Sequence, residues 1–254
     1  MLKEERFSKI IELVNEKGSV KTTEVSEALD TSLATVRRDL NELHALNKIV
    51  KVFGGASSIK NAQFISTEDD LDYKFTINTK EKDLIGKFAA SLISENDFVY
   101  LDAGTSVEAI IDYISADYTY YVTNSLATGK KLSLIGKKVF IVPGEFKKGT
   151  GALIGASTCD YLDNFNFSIG FFGTNGIHEQ VGFTTPDINE AMVKSKAISR
   201  CNKVYFLADS SKFGKVSKVT FSNNPNLEII TNVKNDGKDE IVIRKLKEGL
   251  WFIL

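Results

Sequence analysis

A chain of 254 residues with 43 % hydrophobic content is long enough for two domains and can fill a sizeable core, while a formal net charge of −1 excludes a globally basic nucleic-acid binder. Two cysteines (Cys159, Cys201) and two histidines (His44, His178) are too few and too scattered for a disulfide framework or a metal site, so neither metal nor cofactor is expected. The start MLKEERFSKI lacks an apolar h-region, and no run approaches the roughly 20 apolar residues that span a bilayer, so the expectation is a cytoplasmic chain with no membrane partner.

Phe7, Ile10, Ile11 and Val14 recur at i, i+3, i+4 and i+7, the apolar stripe of a first helix that Gly18 stops. Thr22 or Thr23 is placed to cap a second helix over 22–30, with Val25, Ala28 and Leu29 turned inward. Asp30-Thr31-Ser32 then makes a tight turn, and Ser32 is placed to cap a third helix. Three short helices, the last two joined by a few residues, are the layout of a helix-turn-helix. On the third helix Val36, Leu40, Leu43 and Leu33 share one face, which has to be the core side. Ala34, Arg38 and Asn41 lie opposite, Arg37 sits on the flank, and Asp39 lies near the core edge, where it can brace a neighbour. The local charge agrees, since residues 1–30 carry five basic and seven acidic side chains and residues 31–60 carry five and two.

The segment 48-KIVKVFG-54 reads as a short strand ended by Gly54-Gly55, and Ala56-Ser57-Ser58-Ile59 is placed to return as its partner. A hairpin directly after a recognition helix is a wing. Lys48 and Lys51 on it can reach phosphates, which position a protein on DNA, and Arg38 can offer a bidentate fork to guanine. Thr35-Val36-Arg37-Arg38-Asp39-Leu40 followed by Gly54-Gly55-Ala56 resembles the N-terminal winged helix-turn-helix of the DeoR family of bacterial transcriptional regulators. The resemblance implies operator DNA as partner, met by Ser32, Ala34, Thr35, Arg37, Arg38, Asn41, Lys48 and Lys51.

Residues 57–78 are polar and aperiodic with an acidic cluster, as in a linker or hinge. The expected division is a DNA-binding domain at 1–57, a linker at 58–75 and a second domain at 76–254. In the second domain helices expected at 79–94, 105–115, 125–134 and 187–199 alternate with strands at 97–101, 119–123, 138–142, 167–173 and 203–208. That alternation predicts an α/β domain with a mainly parallel sheet, whose ligands sit at the carboxyl ends of the strands. Four strand ends carry polar loops: 102-DAGTS-106, 123-TNS-125, 173-GTNG-176 and 209-DSSKFG-214. The first runs into a helix, so Gly104, Thr105 and Ser106 suit an anion, and Lys212 in the last supplies a compact positive charge.

Asp102-Ala103-Gly104-Thr105-Ser106, Thr123-Asn124-Ser125, Glu190-Ala191 with Lys194, and Ser211-Lys212-Phe213-Gly214 resemble the DeoR-family C-terminal sensor domain, a likeness that runs along nearly the whole length of this half, and the fold looks like that of ribose-5-phosphate isomerase. The resemblance implies a phosphorylated sugar as effector and self-association into a homo-oligomer. The candidate effector-binding residues are Asp102, Gly104, Thr105, Ser106, Thr123, Asn124, Ser125, Gly173, Asn175, Glu190, Lys194 and Lys212. An isomerase needs a carboxylate cluster for proton abstraction, and 171-FFGTNGIHEQ-180 offers Thr174 and Asn175 there, so no catalytic residue is assigned. The expected function is repression of a sugar-utilisation operon, relieved by a phosphorylated sugar. The alternative is a sugar-phosphate isomerase-like enzyme with an appended DNA-binding domain.

Overall fold

The computed structural model describes residues 3–46, 48–52, 54–58, 63–65, 70–235 and 238–246. The chain divides into two compact units at Phe64/Ile65. In the first unit α1 (Lys3–Lys17), β1 (Ser19–Lys21), α2 (Thr22–Ala28), α3 (Leu33–Ala45), β2 (Val50–Val52) and β3 (Gly55–Ser57) follow in order. The wing is a three-stranded antiparallel sheet, β1-β3-β2, in which Val20 and Lys51 both face Ala56 in register. Gly55 permits that pairing, because a Cβ there would lie 1.9 Å from the Val20 carbonyl oxygen. Ile10, Val14, Val20, Val25, Val36, Leu40 and Leu43 form its core. Each side chain of that size contributes about 1.5–3 kcal/mol on full burial.

Three local expectations need correction. The N-cap of α2 is Lys21, whose backbone amide donates to Glu24 Oε2 at 2.7 Å, one residue before the expected threonines. Ala28 is exposed, because α2 has seven residues and turns Thr22, Val25 and the following Leu29 inward. Leu33 is 41 % exposed: it opens α3 and lies beyond the point where the stripe Val36-Leu40-Leu43 meets its neighbours.

The segment expected to be a linker or hinge includes a short strand β4 (Gln63–Ile65), which spans the boundary, and a helix α4 (Leu71–Thr76) inside the second unit. The second unit continues with α5 (Thr79–Ala90), β5 (Phe98–Leu101), α6 (Thr105–Glu108), β6 (Tyr120–Thr123), α7 (Leu126–Leu134) and β7 (Lys138–Ile141). A hairpin of β8 (Glu145–Lys147) and β9 (Ala152–Ile154) leads to α8 (Ala156–Leu162) and β10 (Phe167–Gly173). Then come β11 (Gly176–His178), β12 (Gly182–Thr185), α9 (Ile188–Ser199), β13 (Cys201–Leu207), β14 (Lys215–Ser217), β15 (Val219–Ser222), β16 (Glu228–Asn235) and β17 (Lys238–Lys245). The helix expected over 105–115 is one α turn followed by a 3₁₀ turn at Ile111–Tyr113. Val107 and Ile110, three apart and fully buried, suit that tighter period.

The main sheet has seven strands in the order β17-β16-β13-β10-β5-β6-β7. All neighbours are parallel except the terminal β16–β17 hairpin. Val99, Leu101, Tyr121, Ile169, Phe171, Leu207 and Ile230 on the strands pack with Ile85, Ala89, Val107 and Ile110 into its core. From β5 the chain adds β6 and β7 on one side, then returns to lay β10 against β5 on the other. The direction of winding therefore reverses between β5 and β10, and loops leaving the carboxyl ends of those two strands diverge and leave a crevice.

Candidate functional site

A cavity occupies that crevice. It is lined by Ala103, Gly104, Thr105 and Ser106 after β5, by Gly173, Thr174 and Asn175 after β10, by Glu190 and Lys194 from α9, and by Thr150, Lys212, Lys82, Leu71 and Lys74. Gly104 takes φ +155°, which L side chains rarely adopt, and a Cβ there would meet nothing within 4 Å, so the backbone itself faces open space. The first amides of α6 follow and have no partner within their own helix. Four lysines and one carboxylate among the lining residues give the cavity a positive balance.

Behind the wall, Asp102 is 1 % exposed and forms a buried ion pair with Lys194. The Gly173 amide donates to Asp102 Oδ2 at 3.0 Å, and Lys194 Nζ also donates to the Gly173 carbonyl at 3.2 Å. Burial pushes the Asp102 carboxyl above the usual carboxylate range, while the Lys194 charge and hydrogen bond and the Gly173 amide pull it back. The pair ties β5, β10 and α9 together at the base of the cavity. One turn before Lys194 on α9, Glu190 accepts from Thr150 Oγ1 at 2.5 Å and Thr185 Oγ1 at 3.3 Å and lies 3.2 Å from Lys147 Nζ. Asp187 caps α9 by accepting from the Glu190 amide at 2.9 Å. Thr174 gives its hydroxyl to the carbonyls of Gly176 and Thr184, so it shapes the β10 loop.

In the first unit, Ser32 caps α3, its Oγ accepting the Thr35 amide at 3.2 Å and lying 3.0 Å from Thr35 Oγ1. Ala34, Arg37, Arg38 and Asn41 are exposed, and Thr35 is half-buried. Arg38 Nε reaches back to the Ala34 carbonyl at 3.4 Å, which lays the guanidinium along the outer face of the helix. Asp39 faces the other way, buried and held by Arg6 of α1, with Nη2 2.9 Å from Oδ1. That ion pair fixes the rotation of α3 about its axis and so the direction in which Arg38 points. Lys48 is exposed at the start of the wing, and the Lys51 side chain lies outside the described residues.

Residues 6–62 match the DeoR-like helix-turn-helix domain, and residues 77–233 match the DeoR C-terminal sensor domain. An HTH-type transcriptional regulator of Bacillus subtilis, FruR, is 37 % identical over 234 residues, 91 % of each chain. The chain belongs to the DeoR family. Lactose phosphotransferase system repressors of Streptococcus mutans (35 % identical over 98 % of each chain) and Staphylococcus aureus (33 % over 97 % of each) are also similar. Among solved structures, ribose 5-phosphate isomerase A from Neisseria gonorrhoeae shares 15 % identity over 54 % of each chain at a TM-score of 0.40. As a DeoR-family member this protein is a DNA-binding transcriptional regulator.

Of the sequence-predicted effector residues of this DeoR-family chain, Gly104, Thr105, Ser106, Gly173, Asn175, Glu190, Lys194 and Lys212 line one cavity. Asp102, Thr123, Asn124 and Ser125 stand behind its wall. Asn124 Oδ1 accepts the Ala103 amide at 2.9 Å, and its Nδ2 donates to the Leu153 carbonyl at 3.3 Å. Thr123 Oγ1 accepts the Ser125 amide at 3.0 Å, and Ser125 Oγ caps α7 at the Thr128 amide, 3.2 Å away. Sequence reasoning missed Leu71, Lys74, Lys82, Ala103, Thr150 and Thr174 as lining residues. The one available signal was a pair of lysines eight residues apart, Lys74 in the supposed linker and Lys82 in the helix expected after it. Among the described residues no group of acidic, histidine or cysteine side chains could hold a metal ion, and no helix is long and apolar enough to cross a membrane.

Proposed function

We propose that this protein represses a sugar-utilisation operon and releases its operator when the cavity between β5 and β10 takes up a phosphorylated sugar. The observation that carries the reading is the lining of the cavity. Backbone amides, the hydroxyls of Thr105 and Ser106 and several ammonium groups suit a phosphate, and Glu190, Asn175 and Thr150 suit sugar hydroxyls. The relatives named as lactose phosphotransferase system repressors support a sugar operon as the target. In this reading Ser32, Ala34, Thr35, Arg37, Arg38, Asn41, Lys48 and Lys51 meet operator DNA, and the protein acts as a homo-oligomer that pairs two winged domains. The reading assigns no catalytic role, which the ion pair of Asp102 with Lys194 and the two hydroxyls and ammonium around Glu190 support.

Fluorescence anisotropy of a labelled operator, titrated with a panel of phosphorylated hexoses, pentoses and trioses, tests the reading. One member should release DNA and raise the melting temperature, about 2.7 kcal/mol of stabilisation at 100 times its dissociation constant. A panel in which no member alters either readout would sink the sugar-phosphate reading.

A further inference from the structure

The matched sensor domain begins at residue 77, yet Leu71 and Lys74 of α4 line its cavity. We infer that the effector's phosphate is clamped between α4 and the sheet, by Lys74 with Lys82 and Lys212, so that α4 is the element through which occupancy is transmitted. This rests on the sugar-phosphate reading above and adds the seat of the phosphate and the part that moves.

Three observations carry it. The first is charge. Lys74, Lys82 and Lys212 gather at one corner of the cavity, and burial together with the other two lysines lowers the Lys82 pKa, against the opposing pull of Asp209. A phosphate monoester carries about −1.5 to −2 charges and three acceptor oxygens, which suits such a corner. The second is construction. Lys82 is 6 % exposed, and its ammonium donates to the Lys74 carbonyl, so the cation is fixed in place and tied to α4. Asp209 beside it is 1 % exposed, with Oδ1 accepting from Asn78 at 2.9 Å and Ser211 at 2.5 Å. The third is the hold on α4. None of its residues is buried, and its first amide donates to the Gly149 carbonyl at 3.2 Å, next to the Thr150 that bonds Glu190. A helix with so little buried surface sits at the low-stability end of the fold, where a ligand changes its population most readily. In the chain it follows the winged unit, the order that transmission through α4 requires.

The test uses the full chain and inorganic phosphate as probe. Calorimetric titration of the parent, Lys74→Gln and Lys74→Arg is combined with hydrogen exchange of the α4 amides, and the folding of each variant is checked by its melting curve. The parent should bind phosphate, with slower exchange in α4. Lys74→Gln should bind on the order of tenfold more weakly, as expected for loss of a charged hydrogen bond, and Lys74→Arg should restore most of the affinity. Phosphate binding by Lys74→Gln as tight as the parent's, or unchanged α4 exchange in the saturated parent, overturns the inference and leaves the sensor reading standing. A parent that binds no phosphate also overturns the inference, while the sugar-phosphate panel decides the sensor reading separately.

Discussion

Replacing Lys194 by methionine removes the cation that neutralises Asp102 and leaves a carboxylate 1 % exposed with only the Gly173 amide as a described partner. Breaking one side of a buried ion pair costs about 3–5 kcal/mol. At about 2–4 °C per kcal/mol for a unit of this size, the sensor unit should melt roughly 6–20 °C lower at pH 7. The pH dependence gives a second, independent check. Burial already raises the Asp102 pKa, and Lys194 is the main influence that lowers it, so the variant's carboxyl moves further up. A folded-state pKa above the unfolded value means that the folded chain binds the extra proton. The stability from that group is then full below the unfolded pKa of about 3.9 and is lost as pH rises through the folded one. The gap between parent and variant should therefore narrow as the buffer is taken from pH 7 toward pH 5. Adding Asp102→Asn should recover much of the loss at pH 7. Differential scanning calorimetry across that range is the assay. A variant as stable as the parent at pH 7, or a gap that widens on acidification, would refute the reasoning.

Arg38→Ala should weaken operator binding by roughly 1–3 kcal/mol per protomer with an unchanged melting temperature, since the side chain is exposed; anisotropy at fixed salt decides, and unaltered affinity would make Arg38 a solvated residue. Asp39→Ala frees Arg6 and should cost the winged unit about 1–3 kcal/mol while also weakening operator binding through misdirected α3, whereas a variant that melts like the parent would show that the ion pair does not set the helix. The double variant Thr105→Val, Ser106→Ala should bind operator normally and fail to release it on adding the sugar phosphate that releases the parent; release at the parent's effector concentration would show that these hydroxyls are not ligands. In a coupled assay with ribose 5-phosphate the purified protein should produce no ketose phosphate, and turnover abolished by Glu190→Gln would overturn the non-enzymatic reading.

Much of the winged unit was legible because its determinants are local. The cap at Ser32, the stripe Val36-Leu40-Leu43 and the outward Arg38 all follow from spacing along one helix, and all three appear in the structure. Leu33 and Ala28 escaped because periodicity names a face but not where along the helix its neighbours end. The strands carrying the polar loops were readable for the same local reason: β10 spans the expected Phe167–Gly173, and β5, β6, β7 and β13 lie within two residues of expectation. What the sequence could not carry was adjacency. Asp102 and Lys194 are 92 positions apart, and only the return of the chain to lay β10 beside β5 makes them a pair and leaves a crevice above them. The same sheet order turns Thr123, Asn124 and Ser125 into wall-building groups, because the adjacent β9 hairpin supplies Leu153 as a backbone partner. Lys74, from a stretch with no period to mark it, joins Lys82 of the expected helix in lining that cavity. Local propensity determined which groups this chain can offer, and the long-range pairing of parallel strands decided which of them meet.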